Sequence, residues 1–210
     1  MPGLRLPLRS FAFALATTLV ACSSAPTHFY TLLPPAEPAT AAAAPAAFAI
    51  AVEPVGVPAE VDQVQWLVRT GPGQVAVLDN ERWAAPLGDE LRAAFADELT
   101  RQLGARDVYK AANPAGVPVY RVQMEVRRFE SAAGGYALIA ADWSVARREG
   151  GATMQCHSRV SQPVEAGYAA LALGHQRAVA AISARIGLAV RSAAEGGTAC
   201  PPAEPIAVPR

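Results

Sequence analysis

The sequence predicts an α/β fold: a single domain in which two long helices pack on a mixed, largely antiparallel sheet. Two patterns carry this. Leu87, Leu91, Phe95, Leu99 and Leu103 recur every four residues, and a second apolar stripe runs through Tyr168, Leu171, Ala172, His175, Val179, Ile182, Ile186 and Val190. Both have helical period. Between them, residues 120–160 alternate apolar and polar with period two, the pattern of strands with one buried and one polar face. Helices need an apolar surface to cover, and such strands provide it.

The chain in order begins with a secretory layout. Arg5 and Arg9 form a positive start, Phe11 to Val20 an apolar run, and small residues lead to Cys22. The run is too short to span a membrane, which takes about 20 apolar residues. Leu19-Val20-Ala21-Cys22 resembles a bacterial lipobox, so cleavage before Cys22 and lipidation of its thiol are expected. A new N-terminal cysteine can carry a diacylglycerol thioether and an acyl group on its amine, and several chains anchor stably where one does not. Ser23, not aspartate, follows, which by the sorting rule for such lipoproteins favours the periplasmic face of the outer membrane.

The expected organisation is a signal peptide over 1–21, an anchor and first strand over 22–33, a Pro/Ala-rich crossing segment over 34–47, the α/β domain over 48–192, and a flexible tail over 193–210. His28 to Leu33 is β-prone and is expected to add an edge strand to the domain. Phe48 to Val57 reads as a strand, with Pro54 and Pro58 demoting its end. Val64 to Thr70 and Val75 to Leu78 read as a hairpin about Gly71-Pro72-Gly73-Gln74. Asp79-Asn80 offers a cap for the first helix, Pro86 suits its first turn, and Gly104 closes it. Arg106 to Lys110 reads as a short strand. Three long strands follow, turning at Gly134-Gly135 and at Arg148 to Gly151, with a bulge expected at Arg127-Arg128. The second helix starts near Gly167.

Charge and cysteines set further bounds. The chain has 18 basic and 18 acidic residues; without Arg5 and Arg9 of the signal, 16 − 18 gives the mature chain a net charge of −2. There is no basic footprint for nucleic acid. With Cys22 lipidated, Cys156 and Cys200 remain, and an oxidising compartment invites them to pair. The alternative is one buried cysteine and one free on the tail. No C-x-x-C motif is present.

Nothing in the sequence points to catalysis or to a metal. His28, His157 and His175 lack ligand spacing, no G-x-S-x-G occurs, and Gly71-Pro72-Gly73 is not followed by the helix a phosphate cradle needs. Asp89-Glu90 and Asp97-Glu98 read as solvated helix charges. The chain is expected to be no enzyme and to need no cofactor beyond the lipid on Cys22. Trp66 with Arg69, and Trp83 with Arg82, are candidate partner-binding anchors, since Trp and Arg dominate interfaces. The alternative is that both tryptophans are core.

The order of elements then resembles a known family. A lipobox precedes Phe29-Tyr30-Thr31-Leu32, a Pro/Ala crossing and a strand. Asp62-Gln63-Val64-Gln65-Trp66-Leu67-Val68-Arg69 follows, then Arg82-Trp83-Ala84-Ala85-Pro86-Leu87 and the long helix. This is similar to the ABC-type transport auxiliary lipoproteins, the PqiC-like group, with Val64 and Trp66 departing from the family's usual strand pattern. The resemblance implies a sandwich like the N-terminal domain of TolB. It also implies a non-catalytic role in MCE-type systems that move phospholipid between membranes, the lipoprotein docking the MCE-domain tunnel protein to the outer membrane. A lipid-binding carrier and an envelope-assembly lipoprotein are the alternatives.

Overall fold

The structure, a computed structural model, describes residues 25–35 and 44–202. Cys22 and the lipobox lie outside the described residues, as do 36–43 and 203–210. Seven strands and two helices follow in chain order: β1 (His28–Tyr30), β2 (Ala49–Gly56), β3 (Gln65–Gly71), β4 (Gln74–Trp83), α1 (Leu87–Leu103), β5 (Val119–Ala132), β6 (Tyr136–Arg147), β7 (Thr153–Pro163) and α2 (Tyr168–Ala194).

The strands divide into two mixed sheets. One has the order β1-β4-β3 and the other β2-β5-β6-β7. β5, β6 and β7 form the antiparallel meander that the alternation predicts, whereas β2 joins β5 in parallel. The register of β5 against β6 shifts between Val126 and Arg128, at the expected bulge. Its consequence is specific. Arg127 and Arg128 both stay exposed, and the residues beyond them change phase, so that Phe129 and Ser131 turn inward.

Both helices cover the inner face. Their apolar stripes bury Leu87, Leu91, Phe95 and Leu99 of α1 and Leu171, Ile182, Ile186 and Val190 of α2 against Val122, Ile139, Trp143 and Val145. Gly174 allows α2 to lie close on the sheet: a Cβ there would stand 2.3 Å from Val164 Cγ1 and 2.9 Å from Ala137 Cβ. α1 ends at Gly104 in the left-handed conformation, φ 62°, where a side chain would cost energy.

Three sequence expectations are corrected. Asp79-Asn80 does not cap α1. β4 runs on to Trp83 because β1 pairs with its last residues, His28 with Glu81 and Tyr30 with Trp83, and the helix starts after Pro86 with no side-chain cap. Strand pairing outweighs local capping preference there. The stretch 106–110 makes a single bridge, Asp107 to Ile50, not a strand. Asp107 works through its carboxylate instead, accepting hydrogen bonds from the Val52 and Tyr109 N–H groups and from Arg92 at 2.6 Å. Finally, Glu90 and Glu98 are buried, each about 5% exposed, not solvated. They stand three residues after Leu87 and Phe95, on the same helical stripe.

Candidate functional site

Among the described strands, the one nearest in sequence to Cys22, together with the residues directly after it, is fastened by side chains from three other elements. β1 has only three residues, so main-chain pairing alone holds it weakly. Side chains make up the difference. The carboxylate of Glu90, brought inward by α1, accepts hydrogen bonds from Thr31 Oγ1 and from the Leu32 N–H, both at 2.8 Å. Gln176 of α2 donates to the carbonyls of Thr31 and Leu33, at 3.0 and 3.3 Å. Glu81 of β4 accepts from Tyr30 Oη at 2.6 Å and meets His28 Nδ1 at 2.9 Å. The Ala84 N–H donates to the Tyr30 carbonyl. Three elements from distant parts of the chain thus converge on residues 28–33.

Electrostatics agrees with this geometry. Burial, reinforced by the hydrogen bond to Glu81 and its negative charge, pushes the Tyr30 hydroxyl up to about 12. For Glu81, burial acts to raise the carboxyl, but hydrogen bonds from Tyr30 and His28 outweigh it and hold the group below the usual carboxylate range. Glu81 therefore stays ionised as acceptor and Tyr30 stays protonated as donor.

The tryptophans belong to the core. Trp66 is 1% and Trp83 is 2% exposed, and their ring centroids lie 4.2 Å apart. The reading of Trp66, Arg69, Trp83 and Arg82 as exposed anchor pairs is therefore corrected. Trp66 shares the inward phase of β3 with Val68, whereas Arg69 points away and reaches Glu130 at 3.4 Å. Arg82 turns back to the Asp79 carbonyl at 2.8 Å. Tyr30 packs edge-on against Trp66 at 5.1 Å, so the indoles support the anchor-side strand from beneath.

Beneath them lies a Ser–His pair that sequence spacing did not show. Ser131 Oγ is 2.8 Å from His175 Nε2 and accepts a hydrogen bond from Trp66 Nε1, also at 2.8 Å. The imidazole stacks on Phe129, centroids 4.0 Å apart. This is not a nucleophile and base. Ser131 is 1% and His175 0% exposed, neither lines the two concavities described below, and among the described residues no hydrogen-bond partner orients His175 Nδ1. Burial holds His175 neutral, its pKa lowered to about 3. Only the bulge after Val126 puts Ser131 inside, so no local motif marks the pair. Among the described residues, no group of three or more His, Cys, Asp or Glu side chains is placed to hold a metal.

Among the described residues, two concavities stand out. One, of about 920 Å³, lies on the outer face of the four-stranded sheet, between Glu53, Gln123, Glu125, Arg127, Asp142 and His157. There Asp142 bridges Arg127 Nε and His157 Nδ1, each at 2.8 Å, and these two hydrogen bonds lower its carboxyl pKa. The other, about 700 Å³, runs between α1, α2 and residues 32–35, with Leu33, Ala94, Leu173 and Val179 on its walls. Cys156 and Cys200 are joined by a disulfide, which carries the segment after α2 across to β7. No described helix is long and apolar enough to cross a membrane.

A family model for the ABC-type transport auxiliary lipoprotein component matches residues 30–187. The chain belongs to this family. The match runs from Tyr30, the last residue of β1, to Gly187 within α2 of this auxiliary lipoprotein. Two solved structures share its fold. A crystal structure of an uncharacterized protein is 18% identical, with a TM-score of 0.62, covering 79% of this chain and 99% of the other. A protein of the family DUF330 from Xanthomonas campestris is 20% identical, with a TM-score of 0.57, covering 81% and 98%. No curated protein matches the chain.

Proposed function

We propose that this auxiliary lipoprotein is anchored through lipid on Cys22 at the periplasmic face of the outer membrane. There it serves as a non-catalytic accessory subunit of an MCE/ABC-type phospholipid transport system, docking the MCE-domain protein to that membrane. The family match supports the transport setting. The observation that carries the mechanical part is the convergence of Glu81, Glu90 and Gln176 on residues 28–33. Phe29 stands seven residues beyond Cys22, at most about 25 Å of extended chain. A tether this short transmits its position to the body only if its far end is fixed, and the three side chains fix it.

The test is co-purification of the full lipidated chain with the MCE-domain protein of the same organism, followed by fractionation of a Cys22→Ala variant. A stable complex and an outer-membrane location lost on Cys22→Ala are expected, with the fold of residues 28–192 intact. Acylated mature protein persisting in that variant would overturn the anchor, and no complex would overturn the docking role. The apolar groove between α1, α2 and residues 32–35 favours one second reading, a lipid carrier. Phospholipid extracted stoichiometrically from purified protein that binds no MCE partner would establish it instead.

A further inference from the structure

β7 ends the four-stranded sheet and pairs only with β6. In an antiparallel strand, the N–H and C=O of one residue point to the same side, and successive residues alternate. Three contacts fix the phase of β7. The Val164 N–H donates to the Gly135 carbonyl, on the β6 side. On the other side, Arg177 donates to the Pro163 carbonyl at 3.2 Å. Also on that side, Cys200 Sγ lies 3.0 Å from the Gln155 carbonyl, a close contact and not a hydrogen bond, since a disulfide sulfur carries no proton. Odd-numbered residues therefore face outward. Pro163, which has no N–H to offer, stands at an outward position, where a strand tolerates proline.

The outward positions are thus occupied at both ends, by Cys200 at Gln155 and by Arg177 at Pro163. Between them, no hydrogen bond from the described residues reaches the main chain of His157, Arg159 or Ser161 on the open side. Their side chains are exposed on the outer face, and the 920 Å³ concavity borders the same edge. Charge on this face is uneven. His157 shares Asp142 with Arg127. Arg159 lies opposite Ala140, and beyond that Arg128, which is already paired with Glu130. No described carboxylate meets Arg159.

We propose that His157–Ser161 is a strand-addition site for an extended segment of the transport partner, carrying a carboxylate opposite Arg159; this rests on the docking role above. Five residues with three outward N–H/C=O pairs suit a short added strand, and an opposite charge across from Arg159 stabilises the pairing. A second copy of this chain fits poorly. Two-fold pairing of β7 with itself that uses all three outward N–H/C=O pairs is centred on Arg159, which sets the two guanidinium groups opposite each other.

The experiment is residue-resolved hydrogen exchange on the full lipidated chain in detergent, alone and with the purified MCE-domain partner. The outward amides of His157, Arg159 and Ser161 are expected to exchange freely alone and to slow by roughly tenfold or more in the complex. Those of Ser158 and Val160, bonded to β6, should stay slow in both. Ser161→Pro removes an outward N–H without touching the ladder to β6, and Arg159→Glu reverses the charge; each should weaken the complex by about tenfold, while Arg159→Lys retains binding. A complex that forms with these amides unprotected, and that both variants leave unchanged, overturns the edge proposal and leaves docking intact. Protection that grows with concentration in the absence of partner identifies a second copy as the occupant and also overturns it. If the unaltered chain forms no complex, the docking role falls and the edge proposal falls with it.

Discussion

β1 and β7 each end a sheet, and they are held by opposite means. β1 is three residues long; Glu81 ties it down, and Glu90 and Gln176 hold Thr31 to Leu33 directly after it, side chains from three other elements. β7 is eleven residues long and holds its place through an unbroken ladder with β6, to which Asp142–His157 and Trp143–Ser158 side-chain hydrogen bonds add, with a disulfide and an arginine near its ends. The difference follows from physical need. A short strand has too few main-chain bonds to resist being pulled away, so it must borrow carboxylate and amide partners. A long strand rests chiefly on its ladder and needs no side chains from other elements along its open edge, which is left available. One edge is built to be fastened and the other to stay accessible.

The comparison can be broken at several points. The largest expected effect is at β7. Replacing both Cys156 and Cys200 with serine opens a loop spanning 44 residues and should cost about 3–4 kcal/mol in denaturant unfolding. It should also free the chain after α2 to limited proteolysis while the β7–β6 ladder stays protected from hydrogen exchange. If the ladder opens as well, β7 is not self-sufficient.

Next comes Glu90→Ala at β1. It leaves the buried Leu32 N–H without its acceptor and should cost about 2–3 kcal/mol. Exchange at Leu32 should accelerate far more than at Ser158. Glu90→Gln keeps an acceptor oxygen and should recover about half of the loss. Equal acceleration at both edges would mean that Glu90 supports the whole core and not the anchor-side strand.

A pH effect of similar size comes from His175, which lies under Trp66 and so under β1. Its pKa is lowered from 6.5 to about 3 in the fold, so unfolding takes up a proton between these values. Its contribution is complete above 6.5 and is lost as pH falls toward 3. Between pH 7 and 5 the loss should be about 2 kcal/mol. The carboxyls of Glu81 and Glu130 are held below their ordinary 4.5, so their contributions fade only at lower pH. Chemical unfolding at stepped pH checks this, and a His175→Leu variant should flatten the slope between about pH 7 and 5.

The smallest effect should be Arg159→Glu on stability. The residue is exposed on an edge, and the change should stay within about 0.5 kcal/mol. A larger loss would show that Arg159 holds β7 in place and is not reserved for a partner.

Much of this was legible in the residues. The period of four in Leu87 to Leu103, the alternation through Tyr120 to Val160 and the doubled arginine at 127–128 each report a local geometry, and local geometry repeats along the chain. The fastening of β1 was not legible, because Glu90 and Gln176 stand 59 and 145 residues from Thr31 and no periodicity links such positions. The tryptophans were ambiguous for a related reason. Trp beside Arg describes an interface or a core equally well until the phase of the strand is known.

The sequence by itself thus determined the two helices and most of the strands, their amphipathic faces, the family to which the chain belongs and the expectation of a lipid at Cys22. Each of these depends on neighbours within a few turns of chain or on a short contiguous motif. Only the tertiary structure decided that Glu90 is a clamp and not a solvated charge, that Ser131 and His175 meet in a closed core, and that the odd residues of β7 face outward with Arg159 unanswered. Those facts depend on which distant surfaces come together, and burial and hydrogen-bond geometry exist only once they have.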